Sequence, residues 1–165
     1  MADWPLAPPE DAPEGTSRLA VSGPAPVGRE RAAQVLGVER RSWLGEAQPD
    51  GRWLLDLELQ VVESAPRMRF RKAAYLDVGP LTGITEEGPL TLDIAWQAAG
   101  MAPLFPVFAG QLGWQAGELS ISGVYAPPGG SLGLAADRLL LHLAARGTGQ
   151  WLLRRIASVM TGESG

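Results

Sequence analysis

Between residues 52 and 125 the chain alternates apolar and polar side chains in one segment after another. "RWLLDLELQVV" (52–62) sets Trp53, Leu55, Leu57, Leu59 and Val61 on one side and Asp56, Glu58 and Gln60 on the other. That period of two is the period of a β-strand with one buried face. The turn signal "QPDG" (48–51) precedes it. "RMRFRKAAYLDV" (67–78) alternates Arg67, Arg69 and Arg71 against Met68 and Phe70. Strict alternation carries Lys72, the only lysine, to the apolar side with Ala74, Leu76 and Val78. After a loop at 79–88, "PLTLDIAWQAA" (89–99) aligns Leu90, Leu92, Ile94 and Trp96. "PVFAGQLGW" (106–114) aligns Phe108, Leu112 and Trp114, and "ELSISGVY" (118–125) aligns Leu119, Ile121, Gly123 and Tyr125. Five consecutive strands with short connections predict an antiparallel sheet with one buried face.

Two more elements precede this run. "SRLAVSG" (17–23) is a strand candidate ended by Pro24 and Pro26, and "VGRERAAQVLG" (27–37) reads as a helix closed by Gly37. The sheet therefore has about six or seven strands.

After the last strand comes "YAPPGGSLG" (125–133). Pro127 and Pro128 have no N–H for a ladder, and Gly129 and Gly130 supply unusual backbone angles, so the segment reads as a sharp strand-to-helix reversal. A phosphate loop does not fit, because no Lys-Ser/Thr follows the glycines. A helix is predicted from the candidate N-cap Ser131. Leu134, Leu141, Ala145, Leu152, Ile156 and Val159 form one stripe along it, and Leu132, Leu139 and Leu143 a second. Gly147 and Gly149 interrupt the pattern. They imply a kink, a close approach to the sheet, or a break into two helices.

Composition narrows the function classes. There is no cysteine, hence no disulfide framework, thiolate nucleophile or cysteine-rich zinc site. No apolar run approaches the ~18 residues that span a bilayer. The N-terminal stretch has neither the basic nor the apolar region of a secretory signal. A soluble, cytoplasmic protein is expected. The formal net charge of −4 resides wholly in the tail, residues 1–15, which holds Asp3, Glu10, Asp11 and Glu14 and no basic residue. That Pro-rich tail is expected to be disordered, with a single domain over 16–161. The remainder is charge-balanced and lacks the basic footprint of a nucleic-acid binder.

From Trp96 onward, the "LFP" at Leu104, Phe105 and Pro106, the turn from Gly123 to Gly130, and a C-terminal helix with an early Asp137 resemble bacterial members of the START/polyketide-cyclase-like (SRPBCC) superfamily. The resemblance is strong over roughly 70 residues and extends over 17–160 in element order. It implies an α+β helix-grip fold, a curved antiparallel sheet around a long C-terminal α-helix with an apolar cavity between them. It implies no single function, since the superfamily includes lipid carriers, cyclases, dehydratases and co-chaperones. The Gly147–Thr148–Gly149 step departs from the stronger helix formers usual in relatives.

The candidate residues have sharp and bland readings. His142, the only histidine, is either a general base or a surface or helix-packing residue, and on a helical wheel it falls away from the Leu134/Leu141/Leu152 stripe. Lys72 is a cavity-facing amine, a residue turned outward by a bulge, or a snorkelling edge residue. Arg67, Arg69 and Arg71 read as outer-face partners of Asp56 and Glu58, or as an anion site. Trp53, Trp96 and Trp114 share the inward phase, where core and cavity wall coincide. Tyr125 is either a polar anchor in that cavity or a rim residue against the proline turn.

The expected ligand wall is Leu57, Phe70, Trp96, Phe108, Trp114, Tyr125, Leu134 and Leu141. No catalytic residue, metal ligand or cofactor is assigned. The leading expectation is binding or carriage of a small hydrophobic or aromatic molecule. The alternatives are a cyclase- or dehydratase-like enzyme using Tyr125 or Lys72, and a protein-interaction module. A homodimer is allowed; nucleic acid and a membrane span are not expected.

Overall fold

The computed structural model describes residues 16–60, 69–85, 87–100, 106–126 and 138–163, without the side chains of 58–60, 69–71 and 138–140. The acidic tail, the Pro–Pro–Gly–Gly reversal, the Ser131 cap with Leu132, Leu134 and Asp137, and Leu104, Phe105, Val61, Arg67 and Met68 lie outside the described residues.

The chain runs β1 (Ser17–Pro24), α1 (Arg29–Gly37), α2 (Arg41–Leu44), β2 (Glu46–Ala47), β3 (Trp53–Gln60), β4 (Arg69–Val78), β5 (Leu90–Ala98), β6 (Val107–Gln115), β7 (Glu118–Ala126) and α3 (Arg138–Thr161). The strands form one seven-stranded antiparallel sheet in the order β1-β7-β6-β5-β4-β3-β2. Each alternating segment of the sequence is a strand. Pro24 is tolerated because it ends β1, an edge strand that needs no further ladder donor there. Ala116 (φ 49°) and Gly117 (φ 85°) join β6 to β7, both left-handed, as a two-residue type I′ hairpin requires.

Some boundaries differ from expectation. The first helix starts at Arg29, not residue 27, because the Val27 N–H donates to the Ala25 carbonyl and Gly28 is extended. The 79–88 loop carries a lone bridge, Thr82 to Thr91. Neither α2 nor β2 was predicted, because four residues and two residues are too short to show a period. Gly45 (φ 78°) turns between them, and a Cβ there would lie 2.5 Å from the Leu54 carbonyl oxygen.

The long helix is unbroken through Gly147–Gly149. At Gly149 the close-packing reading holds: a Cβ there would fall 2.9 Å from Val21 Cγ2 of β1. Leu141, Ala145, Leu152 and Ile156 are buried as the stripe requires, flanked by Ala144, Leu153 and Met160. Thr148, also buried, donates its hydroxyl to the Ala144 carbonyl at 2.8 Å. Leu143, of the second stripe, is 36% exposed.

The helix packs against β1 and β7 on one side and β3 on the other, and its backbone approaches the central strands β4–β6 less closely. That is a sheet curling around a helix, the helix-grip arrangement. Trp96 and Phe108 of the central strands, on the face turned toward the helix, are among the largest fully buried side chains. α1 and α2 close one end of the grip: Trp43 is fully buried and gives its indole N–H to the Val35 carbonyl. Arg31 donates to the Val159 and Met160 carbonyls at the C-terminus of α3, where a cation opposes the negative end of the helix dipole. Arg155 donates to the Trp43 carbonyl, and Arg29 reaches the carbonyls of Gly83 and Gly88.

Candidate ligand-binding site

One row of side chains crosses the inner face of the sheet. The register pairs Trp53 with Leu76, Leu76 with Trp96, Trp96 with Phe108, Phe108 with Tyr125, and Tyr125 with Ser17. Four of the six are aromatic, and Trp96 and Phe108 stack with centroids 4.0 Å apart at 18°. This stack depends on two glycines. Gly110 and Gly123 face each other across β6 and β7, and the Phe108 ring lies over their bare backbone, its Cζ 2.6 Å and 2.9 Å from where their Cβ atoms would be. A glycine inside a strand weakens it, and here it marks a close approach.

Tyr125 ends the aromatic part of the row. Its side chain is buried, and its hydroxyl shares a 2.8 Å hydrogen bond with His142 Nδ1 on α3, the tautomer deciding which donates. Of the readings of His142 left open by the sequence, this is the helix-packing one: the residue lies off the Leu141/Leu152 stripe and meets the sheet at β7. The residue is half-buried. Because the sheet curls around α3, the helix is buried over a wider arc than the stripe alone, and the border of that arc meets β7. No spacing in the sequence pairs His142 with Tyr125.

The indole of Trp96 is the polar anomaly. Trp96 is 2% exposed, and its Nε1 has no hydrogen-bond acceptor among the described residues. The other inward tryptophan of the predicted wall behaves differently. Trp114 gives its N–H to the Ala25 carbonyl at 3.2 Å. It lies six residues along β6 from Phe108, about 20 Å away, so the structure does not bring it to the Trp96–Tyr125 row.

The remaining predicted wall residues divide. Leu57 is buried on β3, and Leu141 is buried on α3. Phe70 is set opposite Leu59 by register, with its side chain outside the described residues, and Leu134 lies outside them altogether. Lys72 is half-buried and directly opposite Leu57; the β3–β4 register is unbroken from Trp53 to Gln60, so no bulge turns it outward. The same register sets Arg71 opposite Glu58 and Arg69 opposite Gln60.

The outer face has different chemistry. Arg52 pairs with Asp50 at 2.5 Å and covers the Tyr75 ring at 4.3 Å. Hydrogen bonds from Arg52 hold the Asp50 carboxyl below its ordinary value, and burial pushes the Asp77 carboxyl above it. An open groove of about 510 Å³ lies over β5–β7, lined by Thr91, Gln111, Gln115, Glu118, Ser120 and Ser122. Among the described residues no three His, Cys, Asp or Glu side chains form a group that could hold a metal ion, and no helix is long and apolar enough to cross a membrane.

No protein-family model matches the chain, and neither does any curated protein. Solved structures do resemble it. Ara h 8.0201 is similar over 90% of this chain and 100% of its own, at 13% identity and a TM-score of 0.46. DynU16, described as a putative protein in the dynemicin biosynthetic locus, is similar over 91% of this chain at 17% identity and a TM-score of 0.40, with this chain spanning 49% of its length. Ms6760 from Mycobacterium smegmatis is similar over 89% of this chain and 92% of its own, at 12% identity and a TM-score of 0.43. These likenesses concern the course of the backbone, and no activity or ligand passes from them to this chain.

Proposed function

We propose that this protein binds a small hydrophobic or aromatic molecule between its central strands and α3, as a divergent member of the START/polyketide-cyclase-like superfamily. The observation that carries the reading is the buried Trp96 indole N–H without an acceptor among the described residues. Leaving such a donor unpaired costs about 1–3 kcal/mol, which Phe or Leu at the same place would not incur. The surroundings suit a ligand: an aromatic row, a helix that stands away from the central strands, and one polar pair at the row's end. Apolar walls with a few placed polar groups are the usual composition of small-molecule sites.

The Tyr125–His142 hydrogen bond favours a second reading, an enzyme of the cyclase or dehydratase kind. Tyr125 would polarise a substrate carbonyl, and His142 would hold the phenol in position.

Native mass spectrometry of protein purified from its own host tests binding directly, through a retained small molecule. A fluorescence titration with 1-anilinonaphthalene-8-sulfonate adds the residue-level test. Trp96→Ala should weaken probe binding well beyond tenfold, while Tyr125→Phe should stay within about tenfold, the scale of one neutral hydrogen bond. Equal binding by the Trp96 variant and the parent would remove Trp96 from the wall and the reading with it.

A further inference from the structure

We infer that residues 1–15 fold back over the outer face of the sheet as a strap, crossing the strands along the row Ala95, Ala109 and Val124.

The observation that leads there is burial on the outer side. Successive residues of a strand point to opposite faces, so Ala95, Ala109 and Val124 turn outward where Trp96, Phe108 and Tyr125 turn inward. The register sets the three side by side, Ala95 opposite Ala109 and Ala109 opposite Val124. They are 2%, 1% and 7% exposed. Asp77, opposite Ala95 on β4, is half-buried as well. The next row of the same face, Gln111, Ser122 and Ala20, is exposed throughout. Small size alone does not account for the dry row, since Ala73, outward on β4, keeps part of its surface in water. The described helices do not supply the cover: α3 packs on the inner side, with α1 and α2 against it. An outer face left to water is wet along its length. A cover one row wide, running across the strands, has the course of a single extended segment.

Residues 1–15 fit that course in place, length and chemistry. They join the sheet just before Ser17, which pairs with Tyr125, and so enter at the β1 end of the covered row. From β1 to β4 is four strand spacings, about 19 Å. An extended Pro-rich chain advances about 3.1 Å per residue, so roughly half of the segment crosses the row. Leu6 and Trp4 then reach β4 and β3, where the outward Tyr75 and Leu54 are half-buried. The other segments outside the described residues, 61–68, 101–105 and 127–137, each join neighbouring elements. A strap lying on a sheet face finds no ladder partner for its N–H groups, and Pro5, Pro8, Pro9 and Pro13 have none to satisfy. The alanine floor lets its backbone approach closely. Gly15 suits the reversal at Thr16, and Asp11 and Glu14 pass the exposed Arg18 beside Val124. The segment has too little apolar surface to fold alone; the sheet supplies the other half of the contact.

The chain contains no cysteine, so a single nitroxide can be placed on the 15N-labelled full chain. Ser122→Cys carries it on the outer face beside the covered row, and Arg146→Cys carries it on α3, across the sheet; both residues are exposed. With the label at 122, the amide resonances of Leu6, Ala7, Glu10, Asp11 and Ala12 should lose most of their intensity relative to the reduced nitroxide. With the label at 146 they should keep it. Intensity kept with both labels, or lost equally with both, would overturn the inference. Loss confined to residues 101–105 would overturn it too, by making the β5–β6 connection the cover. So would loss that persists when the nitroxide sits on unenriched chains mixed with 15N chains, which would put the segment on a second copy. A further readout needs no substitution: on the parent chain, the heteronuclear NOE of the same amides should match that of β1, and values typical of a free peptide would overturn the strap.

Discussion

The hydroxyl of Tyr125 on β7 and Nδ1 of His142 on α3 lie 2.8 Å apart, which ties the end of the last strand to the first half of the helix that follows it. Removing either partner leaves the other polar group half-buried or buried. Tyr125→Phe should lower the unfolding free energy by about 0.5–1.5 kcal/mol, and His142→Ala should cost a similar amount. The double variant should lose less than the sum, because one interaction is being removed twice. Urea melts of the four proteins measure this coupling. Strictly additive losses would show that the two side chains do not interact in solution.

The glycine pair under Phe108 gives a sharper contrast. A Cβ on Gly110 would lie 2.1 Å from the Ser122 carbonyl oxygen and 2.8 Å from the Gly123 Cα, both backbone atoms that cannot step aside. Gly110→Ala should therefore destabilise by about 3 kcal/mol, the upper end of ordinary overpacking. On the outer face of the same strand, a Cβ on Gly113 would meet nothing closer than Ser120 Oγ at 3.3 Å. Gly113→Ala should be nearly neutral. Thermal melts of the two variants compare them, and similar losses would show that β6 and β7 do not approach as closely as described.

Gly149 sets helix propensity against packing. Alanine is favoured over glycine in a helix by about 1 kcal/mol, yet a Cβ here would press on Val21 Cγ2 at 2.9 Å. Val21 is buried and, being β-branched, has little rotamer freedom to yield. Gly149→Ala should cost about 1 kcal/mol net. In a Val21→Ala background the same change should be stabilising, because the clash is gone and the propensity remains. A stabilised single variant would mean that α3 rides farther from β1.

Asp77 predicts the sign of one pH effect. Burial raises its carboxyl above the ordinary value, and the smaller attraction of Arg52 only partly offsets this. The folded state then binds the proton more tightly than the unfolded state. The resulting stability is fully present below the unfolded value, about 3.9, and is lost as pH rises through the folded one. Asp77→Asn should therefore be more stable than the parent at neutral pH and indistinguishable from it in acid. Melts at the two pH values check this; a less stable variant at neutral pH would mean that Arg52 outweighs desolvation.

The fold was legible because its two periods are long and clean. Five alternating segments between Trp53 and Tyr125 had to share a buried face, and the spacing of Leu141, Ala145, Leu152 and Ile156 admitted only a helix. Lys72 on the inner face also followed from alternation, since the β3–β4 register carries no bulge. The short elements α2 and β2 were not legible, because they hold too few residues for a period and are stabilised by what they touch.

By itself the sequence determined which residues are apolar, at what spacing, and so which side of each strand and which stripe of the helix must leave water. It also raised the question of Gly147 and Gly149 without resolving it. Only the tertiary structure decided that Gly149 is a contact with Val21, that Gly110 and Gly123 carry the Phe108 ring, and that among the described residues the Trp114 N–H finds an acceptor and the Trp96 N–H does not. It alone brought His142 to Tyr125. The reason is geometric. A period fixes the direction of a side chain about its own element, whereas curvature of the sheet and the crossing of the helix fix which distant residue it meets.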